Sequence, residues 1–212
     1  MAQPAPNDGE GGLLRRAELS ARLFQMAVQD RDPLLALAAA KLRKNVFGAE
    51  IVRVPERGAG AAEDRAAAQS PAIMSESPAA QPVGWQDMIE TAIAFAPNDP
   101  TIKGLADDLS ADRAKGVVSG KVYSISQIRA GGKDTYRPLE YQGNAYAEVY
   151  VEGSTATDLN VKVFDSAGRL VCSDTDISSI AYCGWRPATT EAFSVVVLNQ
   201  GGRSTSYTLI TN

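Results

Sequence analysis

The last third of the chain alternates apolar and polar residues in short runs, and this alternation constrains the fold more than any other feature. From Leu159 to Val163 every second residue is apolar, which buries one side of an extended segment and leaves the other polar. Residues 165–168 then combine Asp, which bonds its own backbone, with Gly, which accepts a positive φ, and a second apolar run follows. The pattern predicts a β-hairpin.

Similar runs predict further strands around this hairpin. They cover residues 117–128, 136–141, 145–151, 193–198 and 206–211. Short strands joined by short turns are typical of two packed antiparallel sheets. We therefore predict a β-sandwich domain over residues 116–212.

Helical periodicity dominates the N-terminal half, beginning at Leu13. The Asp-Pro pairs at 32–33 and 99–100 are typical helix starts, because the carboxylate accepts hydrogen bonds from unpaired amides and Pro has no amide hydrogen to leave unpaired. Each pair lies between two runs with apolar residues at helical spacing. The pattern predicts four helices in two hairpins over residues 13–115.

Two segments lack the apolar side chains that a folded core needs. Residues 48–84 are mostly Ala, Pro, Gly, Ser and Glu, and residues 1–12 have a similar composition. Such segments do not bury enough surface to offset their ordering entropy. We predict a flexible linker inside the helical domain at 48–84, with strand-like residues 51–54 near its start, and a disordered N-terminus at 1–12.

Four motifs of the β region carry a resemblance to a known family. They are Asp-Leu-Asn at 158–160, Asp-x-x-Gly at 165–168, Cys-x-Trp-x-Pro at 183–187 and Tyr-x-Leu at 207–209. On these motifs, residues 116–212 resemble the bacterial pre-peptidase C-terminal domain. The resemblance implies a jelly-roll-like sandwich that serves as a non-catalytic accessory of secreted or periplasmic proteins. The predicted fold class is thus α+β, with helical hairpins followed by an antiparallel jelly-roll-like β-sandwich.

The helical half has a weaker resemblance of its own. The turn at residues 94–100 is similar to the turn between tetratricopeptide repeats, but the two Asp-Pro units lie about twice that family's period apart. Two helical hairpins packed as a four-helix bundle are the interpretation that the residues favour.

The pre-peptidase resemblance also implies a metal ion, since some members of that family bind calcium through acidic residues. The candidate ligands in this chain are Asp158, Asn160, Asp174 and Asp176, and the family more often has Asp at the position of Asn160. The alternative, which the residues favour, is that these side chains cap turns and solvate a loop. We therefore predict no cofactor, with calcium as the alternative.

Composition excludes several classes of function. The chain has no histidine, so Ser-His-Asp catalysis, Cys-His catalysis and imidazole metal ligands are ruled out. A net charge of -4 without basic runs argues against nucleic acid as a partner. No apolar run reaches the roughly 20 residues of a transmembrane helix. A carboxylate-dependent hydrolase stays formally open, but we do not expect an enzyme.

The two cysteines, Cys172 and Cys183, bear on localisation. They flank a connection between two predicted strands, where a disulfide is favoured over two buried thiols. A disulfide indicates an oxidising compartment. Residues 2–6, Ala-Gln-Pro-Ala-Pro, look like what remains after a signal peptide is cleaved. We expect a periplasmic or extracellular protein.

One surface is a candidate for partner binding. Tyr146, Glu148 and Tyr150 share one face of a predicted strand, opposite its small apolar residues, and are expected to be exposed. We predict a non-catalytic periplasmic or secreted binding or assembly protein, with the helices as a docking module for a protein partner or a second copy. A calcium- or carbohydrate-binding module is the alternative.

Overall fold

The computed structural model describes residues 12–44, 46, 49–59, 83–111, 122–154 and 157–212, and places four helices and ten strands in them. The helices are α1 (Leu13–Asp30), α2 (Pro33–Arg43), α3 (Trp85–Phe95) and α4 (Pro100–Ala111). The strands are β1 (Ala49–Glu50), β2 (Glu56–Ala59), β3 (Val122–Ile128), β4 (Gly132–Tyr141), β5 (Ala147–Gly153), β6 (Leu159–Phe164), β7 (Leu170–Asp174), β8 (Ile180–Trp185), β9 (Glu191–Asn199) and β10 (Thr205–Thr211). The predicted α+β class is confirmed.

Both predicted Asp-Pro helix starts are confirmed. Oδ1 of Asp32 accepts hydrogen bonds from the amides of Leu34 and Leu35 at 2.8 and 3.0 Å. The carboxylate of Asp99 accepts from the amides of Thr101 and Ile102 in the same way. These contacts satisfy amides that the first helical turn leaves unpaired.

The described helices share one apolar cluster, and α2 contacts each of the other three. Small side chains dominate the buried positions of α2, which lets neighbouring helices approach closely. The buried members of the cluster are Ala27, Ala36, Leu37, Ala39, Ala40, Met88, Ile89, Ala92, Ile102 and Ala106.

The strands form two five-stranded sheets. The first sheet has the order β1-β3-β10-β5-β8 and the second has the order β2-β4-β9-β6-β7. One apolar cluster draws its side chains from both sheets, so the sheets face each other across a shared core. From β3 onward each sheet gains four antiparallel strands, and every connection crosses between the sheets except the β6–β7 hairpin, which stays in the second sheet; this is the order found in jelly rolls.

A disulfide ties the two sheets together at one edge. Cys172 on β7 of the second sheet is bonded to Cys183 on β8 of the first, with a Cα–Cα distance of 5.9 Å. Trp185 is buried in the same core, where its ring contacts those of Tyr141 and Phe193. The bond closes a short loop and holds neighbouring strand ends in place.

The predicted linker at 48–84 is wrong for residues 49–59. β1 pairs in parallel with β3, and β2 pairs antiparallel with β4, so this segment adds an edge strand to each sheet. Between them the Arg53 guanidinium donates to Oγ1 of Thr211 at 3.0 Å. Pairing with an open sheet edge needs backbone groups rather than apolar side chains, so composition did not indicate it. Residues 60–82, and the predicted disordered positions 1–11, lie outside the described residues.

Helix α1 packs on the outer face of the first sheet. Leu14, Ala17 and Ala21 form an apolar cluster there with sheet residues that include Tyr150 and Ile210. Each of these five residues is buried. The helical half and the sandwich therefore share an apolar contact in addition to the chain connection.

A buried ion pair reinforces this contact. Arg43, at the end of α2, is 0 % exposed. Its guanidinium forms a bidentate ion pair with the carboxylate of Glu152 on β5, with N–O distances of 2.5 and 3.1 Å. Its Nε donates to Oγ of Ser20 on α1, and the Tyr150 hydroxyl donates to Glu152. Arg43 is fully buried and the Glu152 side chain is only 12 % exposed, so removing either partner leaves the other charge poorly compensated.

Replacing both cysteines with serine, Cys172→Ser/Cys183→Ser, should lower the free energy of unfolding by about 2 to 3 kcal/mol, because the unfolded chain loses a short covalent loop. Denaturant titration of the oxidised protein and the variant measures the difference. Reductant should weaken the wild-type protein and leave the variant unchanged. Equal unfolding midpoints without reductant would contradict the prediction.

Replacing Arg43 with leucine should lower the free energy of unfolding by about 3 kcal/mol, because Glu152 is left buried without its cation. Arg43→Leu/Glu152→Leu should recover part of that loss. The matched control is Arg22→Leu, which removes an exposed partner of Glu18 and should cost less than about 1 kcal/mol. Denaturant unfolding measures all three, and an Arg43→Leu cost no larger than the control's would refute the role of the pair.

Candidate functional site

The predicted exposed strip of Tyr146, Glu148 and Tyr150 is not exposed. Tyr150 is 0 % and Glu148 2 % exposed, and Tyr146 is half-buried. Glu148 and Tyr150 do share the outer face of β5, and Tyr146 directly precedes the strand, but α1 packs on that face at Tyr150. The carboxylate of Glu148 accepts a hydrogen bond from the Tyr182 hydroxyl at 2.8 Å. The strip serves an internal contact, and alternation along a strand does not reveal what covers each face.

The structure separates the four candidate calcium ligands into two pairs. The Asn160 side-chain amide donates to Oδ1 of Asp158 at 3.4 Å. Asp174 instead pairs in register with the inward-facing Val161, which puts it on the opposite face of the second sheet from Asn160. Its carboxylate accepts from the backbone amides of Asp176 and Tyr182.

These hydrogen bonds are those of turn-forming side chains. In the part of the chain that the structure describes, no group of three or more Cys, Asp and Glu side chains is placed to hold a metal ion. Calcium binding stays a prediction from the resemblance. None of the described helices is long and apolar enough to cross a membrane.

A groove of about 530 Å³ lies on the outer face of the second sheet. Its floor is built from neighbouring strands: Thr135 of β4 lies beside Val196 of β9, and Ser194 of β9 lies beside Phe164 of β6. Strand β2 and the outer residues of β4 form one wall. The turn between β6 and β7 forms the other.

The wall at β2 contains an ion pair that joins two strands. Nε and Nη2 of Arg137 donate to the two carboxylate oxygens of Glu56 at 3.0 and 2.5 Å. This bidentate contact matches the planar geometry of the guanidinium and the carboxylate. It holds the pKa of Glu56 below its usual range and raises the pKa of Arg137.

The opposite wall is a turn stiffened by one carboxylate. Oδ1 of Asp165 accepts from the amides of Ala167 and Arg169, and Oδ2 accepts from the Arg169 guanidinium at 2.7 Å. Gly168 has φ of 78°, a conformation that glycine adopts without strain. The Arg169 backbone amide is the main cause of a lowered pKa at Asp165. Ser166 is thereby presented to the groove from a defined turn.

A buried polar network lies behind the groove, inside the sandwich. Asp134 lies between two groove residues on β4 but points inward and is 2 % exposed. The Tyr207 hydroxyl donates to it at 2.8 Å and lies 2.6 Å from the Tyr136 hydroxyl, which donates to Ser126. Burial raises the pKa of Asp134, although Tyr207 and the nearby Arg57 oppose that effect.

The sequence indicated little of this groove. Lys133, Thr135 and Arg137 alternate on one strand, which is a usable signal for an outward polar face. The other wall residues come from the segment predicted as linker and from the turn at 165–168. Their proximity depends on strand pairing between distant parts of the chain.

Comparisons with known proteins identify no family for the chain. No protein-family profile matches it, and no curated protein matches it. Among solved structures, a mitogen from Yersinia pseudotuberculosis is similar at 11% identity over 44% of this chain and 85% of that one, with a TM-score of 0.34. The pre-peptidase C-terminal domain of collagenase from Bacillus anthracis is similar at 5% identity over 42% and 75%, with a TM-score of 0.28. The C-terminal CBM6 of a marine laminarinase from Zobellia galactanivorans is similar at 10% identity over 40% and 76%, with a TM-score of 0.27.

Replacing Asp134 with asparagine should change how stability depends on pH. The pKa of Asp134 is raised on folding. Its favourable contribution to the free energy of unfolding is therefore complete below the pKa in the unfolded chain, about 4, and is lost as the pH rises through the pKa in the folded protein. The free energy of unfolding of wild type minus Asp134→Asn should therefore fall as the pH rises above about 4.

Denaturant unfolding of both proteins at a series of pH values measures this difference. Glu56 and Asp165 have lowered pKa values, so their contributions change with pH in the opposite direction. Both are present in each protein and cancel in the subtraction. A difference that is constant, or that grows with pH, would contradict a raised pKa at Asp134.

Proposed function

We propose that this chain is a non-catalytic binding protein that holds a saccharide chain in the groove of the second sheet. The observation that carries the proposal is the lining of the groove. Hydroxyl groups from Thr135, Ser166 and Ser194 lie beside the apolar side chains of Phe164 and Val196. Sugar rings present both hydroxyls and apolar C–H faces, and such a lining complements both.

The position of the groove supports a ligand that is recognised by side chains and not by pairing with backbone groups. It runs over β2, β4, β9 and β6, whose backbone groups bond to one another within the sheet. A peptide that adds a strand needs a free sheet edge, and this groove lies on a face. The stiff turn at Asp165 and the Arg137–Glu56 pair fix both walls before a ligand arrives, which lowers the entropy cost of binding.

The state of the two carboxylates in the groove supports a non-catalytic role. Hydrolysis of a glycosidic bond uses a carboxyl group that keeps its proton near neutral pH, and this requires a raised pKa. Glu56 is held by Arg137 and Asp165 by Arg169, and the pKa of each is lowered. Both carboxylates are suited to accepting hydrogen bonds and to orienting cations.

We place the protein in the periplasm or outside the cell. The disulfide between Cys172 and Cys183 supports this, because such bonds persist in oxidising compartments. In this proposal the helices have a structural role, since α1 covers the face of the first sheet that was predicted to bind a partner. The groove on the second sheet is the surface that we assign to the ligand.

A panel of oligosaccharides titrated by calorimetry tests the proposal. At least one saccharide should bind, and Phe164→Ala should weaken its affinity by about tenfold, because the apolar surface under a sugar ring is lost. The control is Leu105→Ala on α4, which removes an exposed apolar side chain that does not line the groove and should leave binding unchanged. If no saccharide binds, or if Phe164→Ala binds as tightly as wild type, the proposal is wrong.

A further inference from the structure

Three buried polar atoms on one side of the sandwich have no hydrogen-bond partner in the described part of the chain. They are Nη1 of Arg53, Oγ of Ser124 and the hydroxyl oxygen of Tyr141. A buried polar atom without a partner is costly, and native structures contain few of them. A group of such atoms in one place therefore indicates a ligand that pairs with them.

The three atoms come from neighbouring parts of the fold. Ser124 on β3 pairs in register with Leu209, which lies in the core shared by the two sheets, so Ser124 also faces inward. Tyr141 lies in the same core, at the end of β4. Residues 51–55 connect β1, which pairs with β3, to β2, which pairs with β4. Arg53 in this crossing segment is thus next to both strands.

Thr211 on β10 lies where these groups meet. Its Oγ1 accepts a hydrogen bond from Nη2 of Arg53 at 3.0 Å, and Ser124 is its diagonal neighbour on β3. Burial raises the pKa of Tyr141, while the charge of Arg53 and the hydroxyl of Thr211 oppose that effect, so both lie near the tyrosine hydroxyl. Because Nη1 and Nη2 belong to one guanidinium, the unpaired nitrogen lies close to the same hydroxyls.

The chemistry of this cluster favours an anion. Among the described residues Arg53 has no ion-pair partner, and burial lowers its pKa. A guanidinium nitrogen can only donate hydrogen bonds, and the two hydroxyls can donate as well. An anion would accept from all three groups and neutralise the arginine. A water molecule would leave the partly buried charge without a counterion.

We propose that a small monovalent anion of the size of chloride binds between the two sheets, held by the guanidinium of Arg53 and the hydroxyls of Ser124 and Tyr141. The ligand must be small, because Ser124 is 1 % and Tyr141 7 % exposed. By neutralising Arg53, the anion holds the crossing segment, and with it β2, against the sandwich. This inference is independent of the ligand in the groove.

Thermal unfolding in chloride and in gluconate, at the same ionic strength, tests for the site. Chloride should raise the melting temperature of the wild type by at least about 3 °C, because a ligand that binds only the folded protein stabilises it. The rise should saturate with chloride concentration, whereas gluconate is too large to enter. Equal melting temperatures in the two salts would overturn the proposal.

The variant Tyr141→Phe separates an anion site from a simple packing defect. Without chloride it should be at least as stable as the wild type, because an unpaired hydroxyl has been removed. In chloride it should gain less than half of the wild-type shift in melting temperature. The control is Tyr146→Phe, since Tyr146 is half-buried and its hydroxyl lies beside that of Tyr182, and it should keep the full shift. An undiminished shift in Tyr141→Phe would refute the assignment.

The charge is tested in the same way. Arg53→Gln should abolish the chloride response, and Arg203→Gln, which removes an exposed cation from the loop before β10, should retain it. Loss of the response in both variants, or in neither, would rule out Arg53 as the anion's partner.

Bromide in crystals of the wild type locates the ion by its anomalous scattering. A peak within hydrogen-bond distance of Nη1 of Arg53 and the hydroxyl of Tyr141 is the expected result. Bromide found at the protein surface alone would be an adventitious ion only. That outcome, or a water molecule in place of bromide between the sheets, would overturn the proposal.

Discussion

The ion pair between Arg43 and Glu152 fixes which surfaces of the described protein are open. The fully buried Arg43 charge needs the mostly buried Glu152 carboxylate as its partner, so the end of α2 is held over β5. The apolar side of α1 then covers the first sheet, from Leu14 to Ala21. One outer face of the sandwich is used to join the two halves of the protein, and the outer face of the second sheet carries the groove.

The segment with strands β1 and β2, which follows α2 in the chain, connects this junction to the groove. β1 joins the first sheet, and β2 joins the second after the chain has crossed the sandwich end. Glu56 on β2 pairs with Arg137, and Gly58 lies in register with Lys133. The segment that follows the helices thus adds an edge strand to each sheet and also builds one wall of the groove. Shifts in this segment would change both the edge of the second sheet and the ligand site.

Local chemistry in the sequence predicted the elements well, and long-range pairing explains what it missed. The alternation from Leu159 to Val163 and the capping carboxylates of Asp32 and Asp99 act through near neighbours, so their patterns were sufficient. The outward side of β5 was recognised correctly, but nothing within that strand shows that α1 buries Tyr150. β2 is short and polar, and it forms because a sheet edge offers it backbone partners.

The central claim is that a saccharide occupies the outer face of the second sheet. Backbone amide chemical shifts, recorded during titration with the saccharide that binds in calorimetry, test it most directly because they locate the ligand without any substitution. The account predicts that the largest changes fall on Thr135, Ser166 and Ser194, the hydroxyl residues of the groove. Changes confined to the first sheet, or to the loop at 175–179 beside the disulfide, would contradict it.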